Sequence, residues 1–528
     1  MKFRQSMNWL HTWSGLVLCW LLYFMFITGS AGYFDHEIDR WMKPEIPVQQ
    51  GTFDTRSLLP KAEERLQKVA TEADQIYIEF PLSRYPFFAL WWHNPKDVST
   101  GIKPGWHSEL LDPNTGKTIE FRETGGGELL YRMHYILHYI PKSLGHWITS
   151  LGAMLMFLAL ISGIVIHRRI FKDFFSFRRG NEKRAWRDMH NILGVLPLPF
   201  YLMITYSGLM LLMFSTMIAI PVAQYGTGPE LRSAYDRFFS EPPLREASGI
   251  KASNIPLSTM YNSAKEAMGN DPISFINIHH PGDRDAFVEF GTPSKSGLDT
   301  FSPVAFDAHN GKPLASEIQH QHTPTQGFYH TMEHLHEGLF AGPLLRWLYF
   351  LSGIMGAGMV ATGALLWTRK ERSDPMKNNG NDKVLTIIER LNVGVIIGLP
   401  IAIAAYFWSN RLLPVGISDR ANWEANSLFI VWFITLLQPF LNRNKSLNAS
   451  WTLQLKIASA AYIFIPVLNF ASSDNHLFNA VSHGDWVLAG FDIAMLMFGV
   501  CFALASLKVP IQKEQNYSLV TSQGSTSP

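Results

Sequence analysis

Histidine side chains cluster where this chain enters long apolar runs. The stretch "HYILHYIPKSLGHWI" (134–148) leads into one run and "YHTMEHLHEGLFAGPLLRWL" (329–348) leads into another. His11 and His190 lie near the starts of two further runs. Neutral imidazole is the commonest metal ligand among protein side chains. These positions therefore indicate metal or redox chemistry at the ends of apolar helices.

An internal repeat relates two of these histidines. Residues 10–30 align with 189–209, so that His11 corresponds to His190 at an offset of 179. Gly15 and Gly29 correspond in the same way to Gly194 and Gly208. A second offset of 200 relates Trp147 to Trp347 and Ser162-Gly163 to Thr362-Gly363. The first 370 residues therefore form two copies of one pattern: helix, outer segment, helix.

The repeated spacing places each histidine and its two glycines on one helix face. Separations of 4 and 18 residues return to the same face at 3.6 residues per turn. Glycine beside histidine leaves room for a flat ligand, although glycines also allow membrane helices to pack closely without a ligand. Because the two faces are related by the repeat, we expect His11 and His190 to face one bundle interior, with Gly15, Gly29, Gly194 and Gly208 against the ligand.

Paired imidazoles in an apolar helix bundle are one way of holding haem iron. Cys19 and Cys501 are the only cysteines and no C-x-x-C-H is present, which excludes covalent c-type haem and an all-cysteine iron–sulfur cluster. Non-covalent b-type haem remains, with His11 and His190 as inner ligands. His167 is a further candidate at a similar depth; its alternative place is the lipid headgroup zone beside basic residues.

A second, outer haem is predicted from the two opening stretches. His134 and His138 are one helical turn apart, His330 and His334 share that spacing, and His336 follows. The dipeptide Leu-His recurs at 137–138 and 335–336, which favours His138 with His336, whereas the offset of 200 pairs His134 with His334. Alternatively, these side chains and the nearby His320 and His322 bind zinc or copper, or are merely solvated.

The elements that carry these residues are membrane spans. Apolar residues make up 47% of the 528 positions and charged residues 17%, and the apolar ones form runs long enough to cross a bilayer. The sequence predicts a polytopic α-helical membrane protein with eight spans: 8–34, 146–166, 189–215, 344–367, 387–408, 427–441, 454–470 and 484–506. The last four spans lack the repeat, and few buried charges are expected in them, which argues against a substrate path through them.

Loop charge predicts the orientation. Residues 168–187 carry eight Lys or Arg against two acids, and "TRKER", "NRNK" and Lys508 follow on the same side. The positive-inside rule makes that side cytoplasmic, with both termini inside. The outer segments contain alternating stretches ("QIYIEF", "AFVEF") and related turns ("LLDPNTGKTIEF", "AFDAHNGKPL"), which predict two related α+β domains.

The predicted organisation contains ten parts. They are the first span 1–34, outer domain 35–130, outer helix and second span 131–167, basic loop 168–187, third span 188–224, outer domain 225–328, outer helix and fourth span 329–368, linker 369–386, C-terminal four-span unit 387–508 and disordered tail 509–528. The glycine run "TGGGE" (124–128) before the second span predicts a hinge.

Several of these motifs, in this order, resemble one family. "LHTWSGL", "SGIVIHRRIFKDFFSFRRG", "WRDMHNILGVLPLPFYLMITYSGL" and "LHEGLFAGPLLRWL" are similar to the PepSY-associated transmembrane proteins of bacterial inner membranes over about residues 1–370. The resemblance implies PepSY-like outer domains, two b-type haems, and electron transfer across the membrane to periplasmic ferric iron or a ferric siderophore. The C-terminal four-span unit lies outside the pattern.

Three function classes follow, of which the first is favoured. It is a haem oxidoreductase that passes electrons to a periplasmic oxidised acceptor. The chain has no G-x-G-x-x-G unit or P-loop, so a cytosolic reductase or a membrane quinol is the expected donor, and no nucleic-acid partner is expected. The alternatives are a permease component for iron or another metal, and a non-catalytic PepSY interaction or sensor protein. No catalytic residue beyond the haem ligands is predicted.

Overall fold

The computed structural model describes most of the chain. The described residues are 3–47, 53–82, 84, 86–96, 103–167, 182–213, 218–233, 245–269, 273–291, 303–314, 324–373, 382–441 and 446–510. Residues 168–181 of the predicted basic loop, 214–217 of the predicted third span, His320, His322 and the tail from residue 511 lie outside them.

The described chain is mainly helical, with one sheet. The helices are α1 (Phe3–Leu16), α2 (Cys19–Gly32), α3 (Asp35–Met42), α4 (Thr55–Val69), α5 (Gly126–Ile136), α6 (Lys142–Ile166), α7 (Glu182–Val195), α8 (Leu198–Leu211), α9 (Ala219–Tyr225), α10 (Leu257–Ala267), α11 (Pro324–Glu337), α12 (Pro343–Arg372), α13 (Asp382–Ile396), α14 (Gly398–Leu412), α15 (Arg420–Leu441), α16 (Leu447–Ser472), α17 (Leu477–Ser482) and α18 (Trp486–Lys508). The strands are β1 (Gln75–Glu79), β2 (Phe88–Asn94), β3 (Gly105–Leu111), β4 (Thr118–Ile119), β5 (Phe275–His279), β6 (Phe287–Gly291) and β7 (Val304–Asp307).

The membrane spans match the apolar runs. Within the described ranges, six continuous helical stretches are long and apolar enough to cross a bilayer, and two bent helix pairs raise the number to eight. The sixth and seventh predicted spans, short as apolar runs, are α15 with 22 residues and α16 with 26. The chain is therefore a polytopic membrane protein.

The two bent spans repeat each other. α1 and α2 meet at 61°, and the α7–α8 pair bends by 60° at the equivalent position. In the second copy Pro197 lies in the break and has no backbone N–H, so Leu193 O lacks its usual helical donor. The buried Tyr201 hydroxyl donates to that oxygen at 2.8 Å. The carbonyl group freed by the bend is thus hydrogen-bonded. The bend also allows the two halves of one span to present different faces to their neighbours.

The outer segments share one sheet. The strand order is β4-β3-β2-β1-β5-β6-β7, and every neighbouring pair is antiparallel. β1 of the first segment pairs with β5 of the second along five residue pairs. The two predicted α+β domains therefore share one continuous sheet, because joining these edges gives both strands backbone partners and creates one buried core from both segments.

The two predicted turns have the same backbone structure. Gly116 and Gly311 have positive φ angles of 71° and 66°. Each donates its backbone N–H to the carbonyl of the aspartate that starts the turn, Asp112 at 2.7 Å and Asp307 at 2.9 Å. Glycine adopts this conformation without a side-chain clash, which is why the D-x-x-x-G pattern predicted both turns correctly.

Helices α13 to α18 form the C-terminal unit, which packs against the first copy of the repeat. Trp20 Nε1 donates to Asn392 at 2.8 Å, Tyr23 donates to Ile396 O at 2.7 Å, and Phe24 stacks on Trp432 with ring centroids 5.5 Å apart. These contacts join the unit to α2 within the membrane region.

The C-terminal unit contains more buried charge than its sequence suggests. Arg411, Arg420, Glu424 and Asp492 are all at most 8% exposed. Arg411 stacks on Trp41 of α3 at 3.8 Å, and the Trp41 indole donates to Asp492 at 2.9 Å. The expectation of few buried charges is therefore wrong. Because Arg411 and Asp492 bond to the first copy, they attach the unit to it, and the charge alone does not mark a transport path.

Candidate functional site: two facing histidine pairs

One histidine pair lies on the side of the molecule that carries the sheet, which we call the sheet side. It consists of His134 and His336. His134 lies near the end of α5 and His336 near the end of α11. Their ring centroids are 6.3 Å apart and their planes are nearly parallel, at 18°. We call them the sheet-side pair.

The preferred pairing of His138 with His336 is corrected by this geometry. α5 ends at Ile136, and Leu137 follows with a φ of 56°, which turns the chain away from the helix axis. The His138 ring stacks on Phe429 of α15, with centroids 5.6 Å apart. The shared Leu-His dipeptide does not mark equivalent positions, because His138 lies beyond the end of α5 whereas His336 lies within α11.

The second pair lies at the opposite end of the spans. His11 of α1 and His190 of α7 have ring centroids 6.5 Å apart, with an interplanar angle of 70°. Their faces meet as the repeat predicts. We call them the distal pair. His167 follows the last residue of α6, and its backbone N–H donates to Gly163 O at 3.1 Å.

Both centroid distances suit one metal ion between the rings. Two metal–nitrogen bonds of about 2.0 Å and two ring radii of about 1.1 Å place bis-imidazole centroids about 6.2 Å apart. The observed distances are 6.3 Å and 6.5 Å. The centroid distance of each pair is therefore compatible with a metal ion between the rings.

All four rings are oriented through Nδ1. His11 Nδ1 lies 2.8 Å from Ala159 O and His190 Nδ1 lies 2.9 Å from Met359 O. His134 Nδ1 bonds to Tyr131 O. Carbonyl oxygens only accept, so Nδ1 carries the proton in these three rings and the Nε2 lone pair is free for a metal.

The fourth ring uses a hydroxyl. His336 Nδ1 lies 2.9 Å from Ser207 Oγ, which itself lies 2.7 Å from Met203 O. When Ser207 donates to that carbonyl, its oxygen accepts from Nδ1–H of His336. The same tautomer results, with Nε2 available.

Burial keeps the sheet-side pair neutral. Desolvation lowers the pKa of His134 to about 4 and that of His336 to about 3. Both lie well below neutral pH, so both imidazoles are in the form that ligates a metal. Beside them, desolvation raises the pKa of Glu337 to about 7.

Glycines lie directly against each ring. A Cβ at Gly29 would lie 3.5 Å from His134, and one at Gly208 would lie 3.0 Å from His336. At the distal pair, Gly163 and Gly363 stand equally close to His11 and His190, each at 3.2 Å. These last two were missed as site residues, although their correspondence in the repeat was a signal for them.

The other two predicted glycines have different surroundings. A Cβ at Gly15 would meet nothing within 4 Å, and one at Gly194 would lie 3.2 Å from Met359 Sδ. The spacing therefore located the correct helix face. At the distal pair, however, the glycines that contact the histidine rings lie on a neighbouring helix.

The remaining candidate histidines of α11 are not part of a facing pair. His330 Nδ1 lies 3.1 Å from a carboxylate oxygen of Glu333. His334 is 8% exposed, and its buried Nδ1 has no hydrogen-bond partner among the described residues. Because α11 presents His336 to α5, the side chain at 334 faces another direction.

A cavity of about 1220 Å³ adjoins the sheet-side pair. Both histidines and both neighbouring glycines line it, together with apolar residues such as Met25 and Phe26. Its lining also includes Lys142, Arg84 and Arg346. Arg84 and Arg346 both bond to the carboxylate of Glu37, at 2.9 Å and 2.8 Å, which holds them in place.

Comparison with known proteins agrees with this architecture. The family described as PepSY-associated TM region matches residues 8–370, which span both copies of the repeat and all four paired histidines. The chain belongs to this family. The resemblance in the motifs is thus confirmed, and the C-terminal unit of this PepSY-associated protein lies beyond the matched region.

A relative of this chain is found in Pseudomonas aeruginosa (strain PAO1). The protein described as "Uncharacterized protein PA4219" is 23% identical over 369 residues. The alignment covers 67% of this chain and 88% of the relative. The similarity extends over nearly all of that protein.

Proposed function

We propose that this PepSY-associated protein is a transmembrane oxidoreductase with two b-type haems, one in each histidine pair. The observation that carries the proposal is the repeated arrangement of two facing imidazoles at each end of the spans. The rings lie at metal-bridging separation and Nδ1 of each is bonded to an oxygen. Histidine within the membrane region of a protein is rare and usually marks a functional site.

The two-ligand arrangement favours haem over a simple metal site. Zinc and copper sites take at least three protein ligands as a rule, and no group of three or more His, Cys, Asp or Glu within the described ranges is arranged to hold a metal. Porphyrin supplies four ligands, so two opposed imidazoles complete the coordination. The glycines let each histidine ring lie close against a neighbouring helix.

The residues of the chain would bind and tune each haem. His11 and His190 would hold the distal one, and His134 and His336 the sheet-side one. A bound b-type haem supplies one-electron chemistry. The Nδ1 acceptors fix each ring and raise its basicity, and carbonyls do so more strongly than the hydroxyl of Ser207. Burial lowers the pKa of His134 and His336 and keeps these two ligands neutral.

The sheet-side cavity supports an external acceptor as the electron destination. Its volume exceeds the roughly 300–1,000 Å³ of ordinary small-molecule sites, so it has room beside a cofactor. Three basic residues, Lys142, Arg84 and Arg346, line it together with three acidic ones, Asp35, Glu333 and Glu337, so it offers a polar molecule groups of both charges. A ferric siderophore or another ferric chelate is the acceptor that we propose. The donor would be a membrane quinol or a cytosolic reductase at the other side.

Purified protein tests the proposal directly. We expect the absorption bands of a b-type haem, which sharpen on reduction with dithionite, and a haem content of two per chain. Pyridine haemochrome analysis against protein concentration gives the ratio. Protein that is folded, monodisperse and free of haem after expression with haem precursor would refute the proposal and leave the permease and interaction alternatives.

The orientation follows from the basic loop and has its own test. We expect the sheet to face the periplasm of a bacterial inner membrane, with both termini in the cytoplasm. Alkaline phosphatase fused after Phe80 should be active, and a fluorescent protein fused after Gly180 should fluoresce. Exchanging the two reporters is the control. Activity of the same reporter at both sites would contradict this orientation.

A further inference from the structure

We propose that the C-terminal unit positions the ligand helix α5, and through it His134. The unit would thus act as a brace for one half of the sheet-side pair. The inference rests on the proposed function only where haem serves as the readout.

The start of α5 is bonded to two helices of the C-terminal unit. The Thr124 hydroxyl donates to Glu424 Oε2 of α15 at 2.6 Å, and the Gly125 N–H contacts the same oxygen at 3.2 Å. The Tyr406 hydroxyl of α14 donates to Gly126 O at 2.8 Å. A carboxylate near the first N–H groups of a helix is favourable both as a hydrogen-bond acceptor and through the helix dipole.

The far end of α5 contacts the same helix, α15. His138 stacks on Phe429, and the Tyr139 hydroxyl donates to Asn426. α5 is therefore held just before its first residue and just after its last. His134 lies between these two anchors.

The anchor at Glu424 is itself rigid. Glu424 is fully buried, pairs with the buried Arg420, and accepts from Asn410 Nδ2 at 2.8 Å. Arg420 also donates to Glu123 O at 2.9 Å, next to Thr124. Removing the carboxylate would leave a buried, unpaired guanidinium, so the network is expected to resist rearrangement.

The glycine run that suggested a hinge is fixed in this structure. Gly126 has a φ of 55°, and a Cβ there would overlap the carboxylate of Asp39. The next residue, Gly127, donates its N–H to Asp39 Oδ1 at 2.8 Å. The run allows close approach of α5 to α3 on one side while the C-terminal unit holds the other side.

The second ligand helix is supported differently. His336 O of α11 accepts from Tyr33, and its Nδ1 bonds to Ser207, both within the repeat. Glu337 accepts from Tyr131 at 2.9 Å, again within the repeat. The brace therefore acts on one of two repeat-related helices, which provides an internal comparison between α5 and α11.

Hydrogen–deuterium exchange of the full-length protein tests the brace without any need for haem. In Glu424→Ala, we expect amides of 126–136 to exchange at least tenfold faster, while those of 324–337 keep their rate. Tyr406→Phe removes only one hydroxyl and should accelerate the same peptide by a smaller factor. Glu424→Gln keeps an acceptor for Thr124 and should restore most of the protection.

A control variant and a spectroscopic readout complete the test. Trp20→Phe removes a bond to Asn392 between the same two units and should leave 126–136 unchanged. In haem-loaded Glu424→Ala, the sheet-side haem should change its midpoint potential or be lost, while the distal haem keeps its spectrum and potential. A haem-free wild-type protein would refute the proposed function, and exchange would still decide this inference.

Two results would overturn the brace. One is unchanged exchange of 126–136 in both Glu424→Ala and Tyr406→Phe. The other is equal acceleration of 126–136 and 324–337 in both variants, because that would be a general loss of stability.

Discussion

Replacing His336 by alanine is expected to lower the haem content of the purified protein from two per chain to one. His336 contributes half of the sheet-side pair, so its replacement removes one of the two imidazoles that would hold this haem and should weaken its retention through purification. His134→Ala should give the same result. The distal haem should keep its spectrum, because His11 and His190 lie at the other end of the spans.

His138→Ala is the matched control for this experiment. His138 is one helical turn from His134 in sequence but contacts Phe429 and not His336. The variant removes one anchor of α5 and leaves the bond from Tyr139 to Asn426, so it should retain two haems. Haem content measured by pyridine haemochrome, with circular dichroism as a check on folding, separates the outcomes. Loss of haem in His138→Ala with retention in His134→Ala would restore the pairing suggested by the Leu-His dipeptide and contradict the observed one.

Interrupting either pair is expected to stop electron transfer to an external acceptor, with a fall of about a hundredfold or more in rate. The two pairs lie near the two ends of the same bent spans: Gly208 contacts His336, and His190 lies 18 residues earlier on that span. At 1.5 Å per residue they are at most about 27 Å apart along the helix axis. A serial path of this kind fails at its first break.

A serial path also predicts the electron-transfer rate of a variant in which both pairs are interrupted. His190→Ala and His336→Ala should each abolish reduction of a ferric chelate on the sheet side, and the double variant should be no slower than either. Proteoliposomes with a quinol or dithionite as internal donor and a ferric chelate outside provide the assay. Trp20→Phe should transfer electrons at the wild-type rate. Wild-type rates in His336→Ala would show that the sheet-side pair has another role.

The order of the spans and the repeat could be predicted because they depend on local properties. Apolar runs of sufficient length form membrane helices in almost any context, since the bilayer leaves backbone groups no other partners. The turns at Gly116 and Gly311 are equally local, because a positive φ selects glycine. The distal pair also followed from the sequence, since one offset relates His11 to His190 without insertions.

The sheet-side partner could not be predicted in the same way. The offset between His134 and His336 is 202, two more than that between Trp147 and Trp347. The segment from His134 to Trp147 is therefore two residues longer than its counterpart in the second copy. When the linker lengths differ, the repeat no longer shows which of the neighbouring histidines corresponds to His336. Only the residue at which α5 ends decides which ring faces inward.

By itself, the sequence determined the membrane class, the two-copy core, the hairpin turns and the helix face that carries each distal histidine. Each of these depends on residue spacing within one element or on the match between two copies. The tertiary structure alone decided that β1 joins β5 in one sheet, that His134 rather than His138 faces His336, and that buried charges attach the C-terminal unit to the start of α5. These features are contacts between residues far apart in the chain, and such contacts depend on how complete elements dock, since many partners compete for each exposed edge or buried charge until docking selects one.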